Sequence, residues 1–355
     1  DYAAEGKSLA KVDGKVIFIE NVVPGDVVDV QLMKNKKDWA EGRPLQFHSY
    51  STDRVTPFCS HFGVCGGCQW QMLPYEKQLG YKTKQVEDVL KRIGKVALPP
   101  MQPILGAAET KYYRNKIEYT FGNKRYLLKE ELNDESIVND QNVVGFHAKG
   151  FFDKVVDINT CYLQAEPTNE IRLFIKELAK QNDWTFYDIR NHVGFLRTMQ
   201  VRLCQTGELM VNIMVGENDE KKIQLLMKQV QQQFPSITTL LYTVNTKWND
   251  SMFDLEPVTY YGKGYVIEKL EEFQFKIGPK SFFQTNTKQG EKLYQVAREF
   301  AELTGNEIVY DLYCGTGSIG IFVSKKAKKI IGVEMIAAAI DDAKENAALN
   351  NLSTA

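Results

Sequence analysis

The period of the apolar positions changes along the chain, and each change marks a different kind of segment. Near the N-terminus apolar residues come in short runs divided by turn signals: Val16-Ile17-Phe18-Ile19, then Pro24-Gly25-Asp26, then Val27 to Leu32 with alternating apolar positions. Such runs predict strands, with the Pro-Gly-Asp triplet as the turn between them. A basic loop bearing an aromatic, Lys34-Asn35-Lys36-Lys37-Asp38-Trp39, follows. Residues 1–52 therefore read as a small β-barrel, an architecture that often binds oligonucleotides through its loops and one strand face.

From Pro74 the period becomes helical. Leu79, Val86, Leu90 and Ile93 fall on one face and Lys77, Lys84 and Lys91 on the other, while Gly94 with Pro99-Pro100 beyond it marks the stop. Between Tyr112 and Ile277 strands and helices mix. Strands are predicted over Ile117–Phe121, Phe195–Leu203, Leu209–Val215 and Ile237–Val244, and helices near 168–181 and 219–233. The acidic run from Glu130 to Asp140 has too few apolar residues to pack, so an exposed hairpin tip is expected there.

The last stretch changes character again. A helix near 288–303 leads into the strand Ile308–Leu312, a glycine loop, a helix, the strand Ile330–Val333 and a further helix. This βαβ order predicts a parallel sheet. A parallel sheet is covered on both faces and doubly wound domains use several more strands, so an incomplete sheet is expected within these residues.

Composition narrows the class without deciding it. The chain is 43% hydrophobic and 25% charged, which suits an ordinary globular protein, and its apolar runs are too short to span a bilayer. Nothing at the start resembles an export leader. A net charge of −1 gives no sign of nucleic acid, but residues 70–130 hold twelve Lys/Arg against six Asp/Glu. Taken alone, that surplus reads as a solvated face.

The glycine loop carries the first candidate chemistry. In Asp311-Leu312-Tyr313-Cys314-Gly315-Thr316-Gly317-Ser318-Ile319-Gly320, glycines between a strand and a helix let a ligand approach the backbone closely. Glu334 ends the next strand, nineteen residues after Gly315, where a carboxylate can accept hydrogen bonds from ribose hydroxyls. Gly315, Gly317 and Gly320 also spell the dinucleotide fingerprint G-x-G-x-x-G, so NAD competes as the ligand, as does a tight turn with no ligand. Asp311 favours a methyl-donor cofactor, because an acidic group beside this loop meets the positively charged amino-acid end of S-adenosylmethionine.

The second candidate is a cysteine cluster. Cys59, Cys65 and Cys68 read C-x5-C-x2-C on a Gly-rich loop, and three thiols this close argue for a soft-metal site rather than disulfides. A fourth ligand is needed; Cys161 is a candidate, with His61 as an alternative, whereas Cys204 alternates with apolar neighbours and reads as a core residue. Spacing alone leaves zinc and iron–sulfur open.

These residues together resemble the RNA uracil-5-methyltransferase family over essentially the whole chain. The likeness rests on Cys59, Cys65, Cys68 and Cys161, on Glu5-Gly6-Lys7 and Val23-Pro24-Gly25-Asp26, on Tyr113-Arg114-Asn115-Lys116, on Gly145-Phe146-His147, on the run Gly278 to Asn286, and on the Asp311 loop. The resemblance implies a [4Fe–4S] cluster on the four cysteines, zinc being the alternative, and cofactor contacts by Gln284, Tyr313 and Glu334. For Gln284 an amide beside a polar ligand is physically reasonable, with capping of the following helix as the competing role.

The implied fold class is α/β and multi-domain. An OB-like TRAM barrel spans 1–52, a central α/β domain with the Fe–S loop spans 53–72 and 110–272, and an incomplete Rossmann-like methyltransferase domain spans 73–109 and 273–355. The implied reaction is C5-methylation of a uridine through a cysteine adduct, with S-adenosylmethionine as methyl donor. The family's Ser-Cys-Asn-Pro and His-Val-Glu runs do not occur here, so no catalytic residue is named and a final catalytic segment is expected to be absent. RNA is the expected partner, ribosomal RNA ahead of transfer RNA, bound by the barrel, the basic face near 77–95, Arg114 and Lys116. A monomer in the cytoplasm, without a membrane partner, completes the expectation. Two other readings stand beside it: an RNA-binding protein without catalysis, and an NAD-dependent oxidoreductase with an iron–sulfur centre.

Overall fold

The structure, a computed structural model, describes residues 1–3, 6–128, 130–134, 136 and 141–353. Glu5 of the Glu5-Gly6-Lys7 match, and residues 135 and 137–140 of the acidic run, lie outside the described residues. The chain divides into two units, Asp1–Thr110 with His147–Phe151, and Lys111–Phe146 with Phe152–Ala355.

The first unit carries a four-stranded sheet of β1 (Ser8–Val12), β2 (Lys15–Ile19), β3 (Val27–Asn35) and β4 (Trp39–Ser49), in the order β1-β2-β4-β3. The predicted turn at Pro24-Gly25-Asp26 is held by its own carboxylate. Asp26 accepts the amides of Val23 at 2.6 Å and Ser51 at 2.8 Å, and Arg54 grips it with both Nε and Nη2. The ladder between β3 and β4 shifts register at three points, which is how a short sheet bends towards a barrel. The basic loop expected over 34–39 shrinks to a tight turn, because Lys34 and Asn35 belong to β3 and Trp39 opens β4.

Helix α1 (Tyr75–Asp88) stands where the helical period predicts one, and widens to a π-turn over Val89–Ile93 that Gly94 ends. Its apolar positions are unevenly covered: Leu79 and Leu90 are half-buried, whereas Val86 is 47% and Ile93 78% exposed. Among the buried residues of this unit, Val23, Met72 and Leu73 form a cluster with Tyr2, Phe62, Trp70 and Tyr81 packed against them, and Ile19, Val22 and Ala40 are buried as well.

The second unit is built on a seven-stranded sheet, ordered β11-β10-β9-β8-β5-β6-β7. These are β5 (Lys116–Gly122), β6 (Val143–His147), β7 (Val155–Asp157), β8 (Leu196–Leu203), β9 (Leu209–Val215), β10 (Thr239–Val244) and β11 (Val258–Tyr261). β8 and β9 are buried almost throughout, as expected for strands covered on both faces. Helices α2 (Thr168–Gln181) and α3 (Glu220–Gln233) pack together and lie within two residues of their predicted bounds.

Beyond the sheet come the hairpin β12 (Val266–Leu270) and β13 (Phe273–Ile277), helix α4 (Thr287–Phe300), and the βαβ run. That run is β14 (Ile308–Leu312), α5 (Ser318–Val323) and β15 (Lys329–Val333), closed by α6 (Ala337–Leu349). β14 and β15 pair in parallel with Asp311 opposite Gly332. Their covered face joins a core of Phe273, Phe275, Phe283, Tyr294, Ile321, Phe322 and Val323, while Ile308, Tyr310 and Leu312 are exposed on the other. Among the described residues no helix is long and apolar enough to cross a membrane.

Candidate active site

The parallel pair places two carboxylates at the ends of adjacent strands. Asp311 faces inward: its Oδ2 accepts the Gly320 amide at 2.9 Å, tying the strand end to the first turn of α5. Burial pushes its carboxyl above the usual carboxylate range, against the lowering effect of that amide. Glu334 follows β15, with Oε2 accepting the Gly315 amide at 3.1 Å and Oε1 the amides of Met335 at 2.8 Å and Ile336 at 3.0 Å. The Ile336 amide above all, with those of Gly315 and Met335, holds its carboxyl below the usual range despite partial desolvation.

The loop between them needs its glycines. Gly315 and Gly317 have φ of 52° and 77°, in the left-handed region where a side chain is strained. Tyr313 adopts φ 65° as well, and its side chain, 91% exposed, stands out from the loop. Cys314 is buried beneath β15, where a Cβ on Gly332 would come within 2.9 Å of its Sγ. Its small side chain fills the space between loop and strand. Burial, with the carboxylates of Asp311 and Glu334, pushes its thiol up, so it is no ready nucleophile.

Gln284 lies half-buried just before α4. It is not the cap: Asn286 is, accepting the Gln289 amide at 3.1 Å. The capping alternative for Gln284 is thereby removed.

Two residues that periodicity did not single out help to build this region. Asn346, wholly buried in α6, donates to the Thr316 carbonyl at 3.1 Å and accepts the Lys276 amide at 2.6 Å, joining helix, glycine loop and β13. Asn115 reaches the Gln284 carbonyl at 2.8 Å. A lone Asn amid the Ala-rich sequence of α6 was the available signal for the first.

The structure lends the expected cysteine cluster no support. Cys59, Cys65 and Cys68 sit half-buried in the turn-rich loop of the first unit, where Gly66 donates to the His147 carbonyl at 3.0 Å. Cys161 belongs to the second unit, buried beside the Tyr119 hydroxyl and Arg172 guanidinium. Among the described residues no group of three or more His, Cys, Asp or Glu side chains is gathered so that it could hold a metal. The thiol chemistry of the three-cysteine loop suits a soft metal. Cys204 is a core residue, as expected, its thiol raised by burial.

A parallel pair with a glycine loop and an acid at each strand end is common to several cofactor folds, and comparison with known proteins decides among them. The family described as tRNA (Uracil-5-)-methyltransferase matches residues 259–354, and the TRAM domain matches 2–45. A Bacteroides thetaiotaomicron protein named an uncharacterized RNA methyltransferase is 48% identical over 99% of this chain and 78% of its own length. The chain belongs to the RNA uracil-5-methyltransferase family. A Porphyromonas gingivalis protein of the same name is also 48% identical, over 99% of this chain and 77% of its own. The solved Pyrococcus abyssi tRNA (uracil-54, C5)-methyltransferase, in complex with S-adenosyl-L-homocysteine, superposes with a TM-score of 0.73 at 25% identity, over 98% of this chain and 76% of that one. The chain is thus an S-adenosylmethionine-dependent RNA methyltransferase with an N-terminal TRAM domain. The matches run across nearly the whole of this chain and about three quarters of each relative's own length.

Proposed function

We propose that this methyltransferase binds S-adenosylmethionine in the glycine loop and methylates C5 of a uridine in RNA through a cysteine adduct. One observation carries the cofactor's place: Glu334 sits at the end of β15 with its carboxylate against the Gly315 amide. There it can accept the ribose hydroxyls, while Gly315 and Gly317 let the adenosine approach the backbone. Asp311 suits the ammonium of the methionine end, because burial has raised its carboxyl and a neighbouring cation would offset that cost. Tyr313 offers an exposed ring at the mouth of the loop, and Gln284 a carboxamide that both donates and accepts. When bound, the cofactor supplies an electrophilic methyl group.

C5 of uracil is a poor nucleophile until a thiolate adds at C6, and a base must later remove the C5 proton. Cys204 and Cys314 are raised by burial and unsuited to that role, so no residue is assigned it. The target base must be unpaired or flipped to be reached. RNA is expected along the TRAM sheet, the basic face near 77–95, Arg114 and Lys116. The domain division at 1–52, 53–72 with 110–272, and 73–109 with 273–355 belongs to this same reading, as do a monomeric state and a cytoplasmic site.

Sequence resemblance favours ribosomal RNA, whereas the matched family and the Pyrococcus abyssi neighbour are named for transfer RNA. Mass mapping of 5-methyluridine in both RNA classes from cells lacking the gene tests the proposal. Loss of the methyl group at a defined uridine supports it and names the substrate; unchanged 5-methyluridine throughout refutes it.

A further inference from the structure

We propose that Asn115 and Arg202 are positioning residues that hold the 281–287 stretch in the conformation the cofactor requires. The inference rests on the reading that Gln284 contacts the cofactor. Arg202 pairs with Lys116 in the ladder between β5 and β8, next to Asn115.

Asn115 is 5% exposed and makes three bonds to the stretch. Its side-chain Nδ2 donates to the Gln284 carbonyl at 2.8 Å and to the Thr287 hydroxyl at 2.7 Å, and its backbone amide donates to the Thr285 carbonyl at 2.7 Å. The Thr287 hydroxyl in turn donates a hydrogen bond to Glu268 Oε2 at 2.9 Å, and Oε1 of that buried carboxylate accepts the amides of Gln205 at 2.9 Å and Lys269 at 3.1 Å. At the other end Arg202, 1% exposed, donates Nη2 to the Ser281 carbonyl at 3.0 Å. Both ends of the stretch are therefore fastened to Arg202 of β8 and to Asn115, which directly precedes β5.

The chemistry of Asn suits this task. One carboxamide nitrogen offers two hydrogens in a fixed plane, so a single atom sets the Gln284 carbonyl and the start of α4 together. With that carbonyl fixed and Asn286 capping α4, the Gln284 side chain can leave the backbone only within a narrow range.

These bonds come at a cost to the fold. Asn115 Oδ1 and Arg202 Nε and Nη1 are buried with no hydrogen-bond partner among the described residues. A linkage kept only for stability would be better served by apolar side chains, since unsatisfied buried groups destabilise. Such groups persist where geometry matters more than stability.

Titration with S-adenosylhomocysteine tests this on the unaltered chain, Asn115→Ala, Gln284→Ala and the double variant. If Asn115 acts through Gln284, each single change weakens binding by about tenfold, and the double variant is about as weak as Gln284→Ala alone. Losses that multiply, or an Asn115→Ala protein that binds like the unaltered chain, overturn the inference. Should Asn115→Ala fail to fold, Thr287→Val and Thr287→Ser decide. The hydroxyl-bearing Ser variant is expected to bind normally and Val weakly, and equal binding by the two overturns it. If the unaltered chain does not bind S-adenosylhomocysteine, the cofactor reading itself fails and takes the inference with it; normal binding by the unaltered chain and by Asn115→Ala overturns only the positioning role.

Discussion

The Glu334 carboxylate accepts the Gly315 amide at 3.1 Å, so the acid after the second strand and the first glycine of the loop are joined directly. Glu334→Gln removes the charge and turns an amide N–H toward one of its three backbone donors. S-adenosylhomocysteine affinity is expected to fall about tenfold or more, with little change in the melting temperature, because the side chain is solvent-accessible. Calorimetric titration beside thermal melting checks both.

Asp311 predicts a pH dependence. Its folded carboxyl lies above its unfolded value because of burial, so ionising it costs stability, and that cost grows as pH rises from the ordinary carboxylate range through the raised value. A bound ammonium offsets the cost. Affinity for S-adenosylhomocysteine is therefore expected to rise with pH across that window and to be flat in Asp311→Asn. A flat profile in the unaltered chain argues against an Asp311 contact.

Gly332 and Cys314 predict a stability change that is coupled. A Cβ at Gly332 would lie 2.9 Å from the Cys314 sulfur, so Gly332→Ala forces the loop and β15 apart, at a cost of about 1–3 kcal/mol. Removing the sulfur in Gly332→Ala/Cys314→Ala is expected to recover part of that loss. Urea unfolding of Gly332→Ala, Cys314→Ala and the double variant measures it, and purely additive effects contradict the contact.

Asp26 predicts acid sensitivity in the N-terminal unit. Desolvation raises its carboxyl, but the Arg54 guanidinium and the amides of Ser51 and Val23 outweigh this and leave it below the usual range. A depressed folded value gives stability that is present above the unfolded value and lost as pH falls through the folded one. The melting temperature of this unit is expected to drop on acidification below about pH 4, and to drop less in Asp26→Asn.

What could be read in the sequence was local. β14, the glycine loop, β15 and Glu334 lie within 27 residues, from Ile308 to Glu334, and each step uses a short-range rule: apolar run, glycine turn, acid at a strand end. The strands β5, β8, β9 and β10 were equally visible, but not their order, because the ladder that sets β5 beside β8 joins residues far apart. Asn115 illustrates the limit: its bond to Thr287 spans 172 residues, and no periodicity encodes it. In α1 the limit is of another kind: helical spacing specifies which residues share a face, not how much of it is covered, and Leu79 and Leu90 are half-buried while Val86 and Ile93 stay exposed. For the cysteines the sequence supplies spacing alone, and spacing does not fix a fourth ligand.

The most direct measurement is calorimetric titration of the unaltered chain with S-adenosylhomocysteine and, separately, NADH. Binding of one equivalent of S-adenosylhomocysteine with no heat from NADH is expected from a carboxylate pair at 311 and 334 around this loop. NADH binding with S-adenosylhomocysteine inert contradicts it.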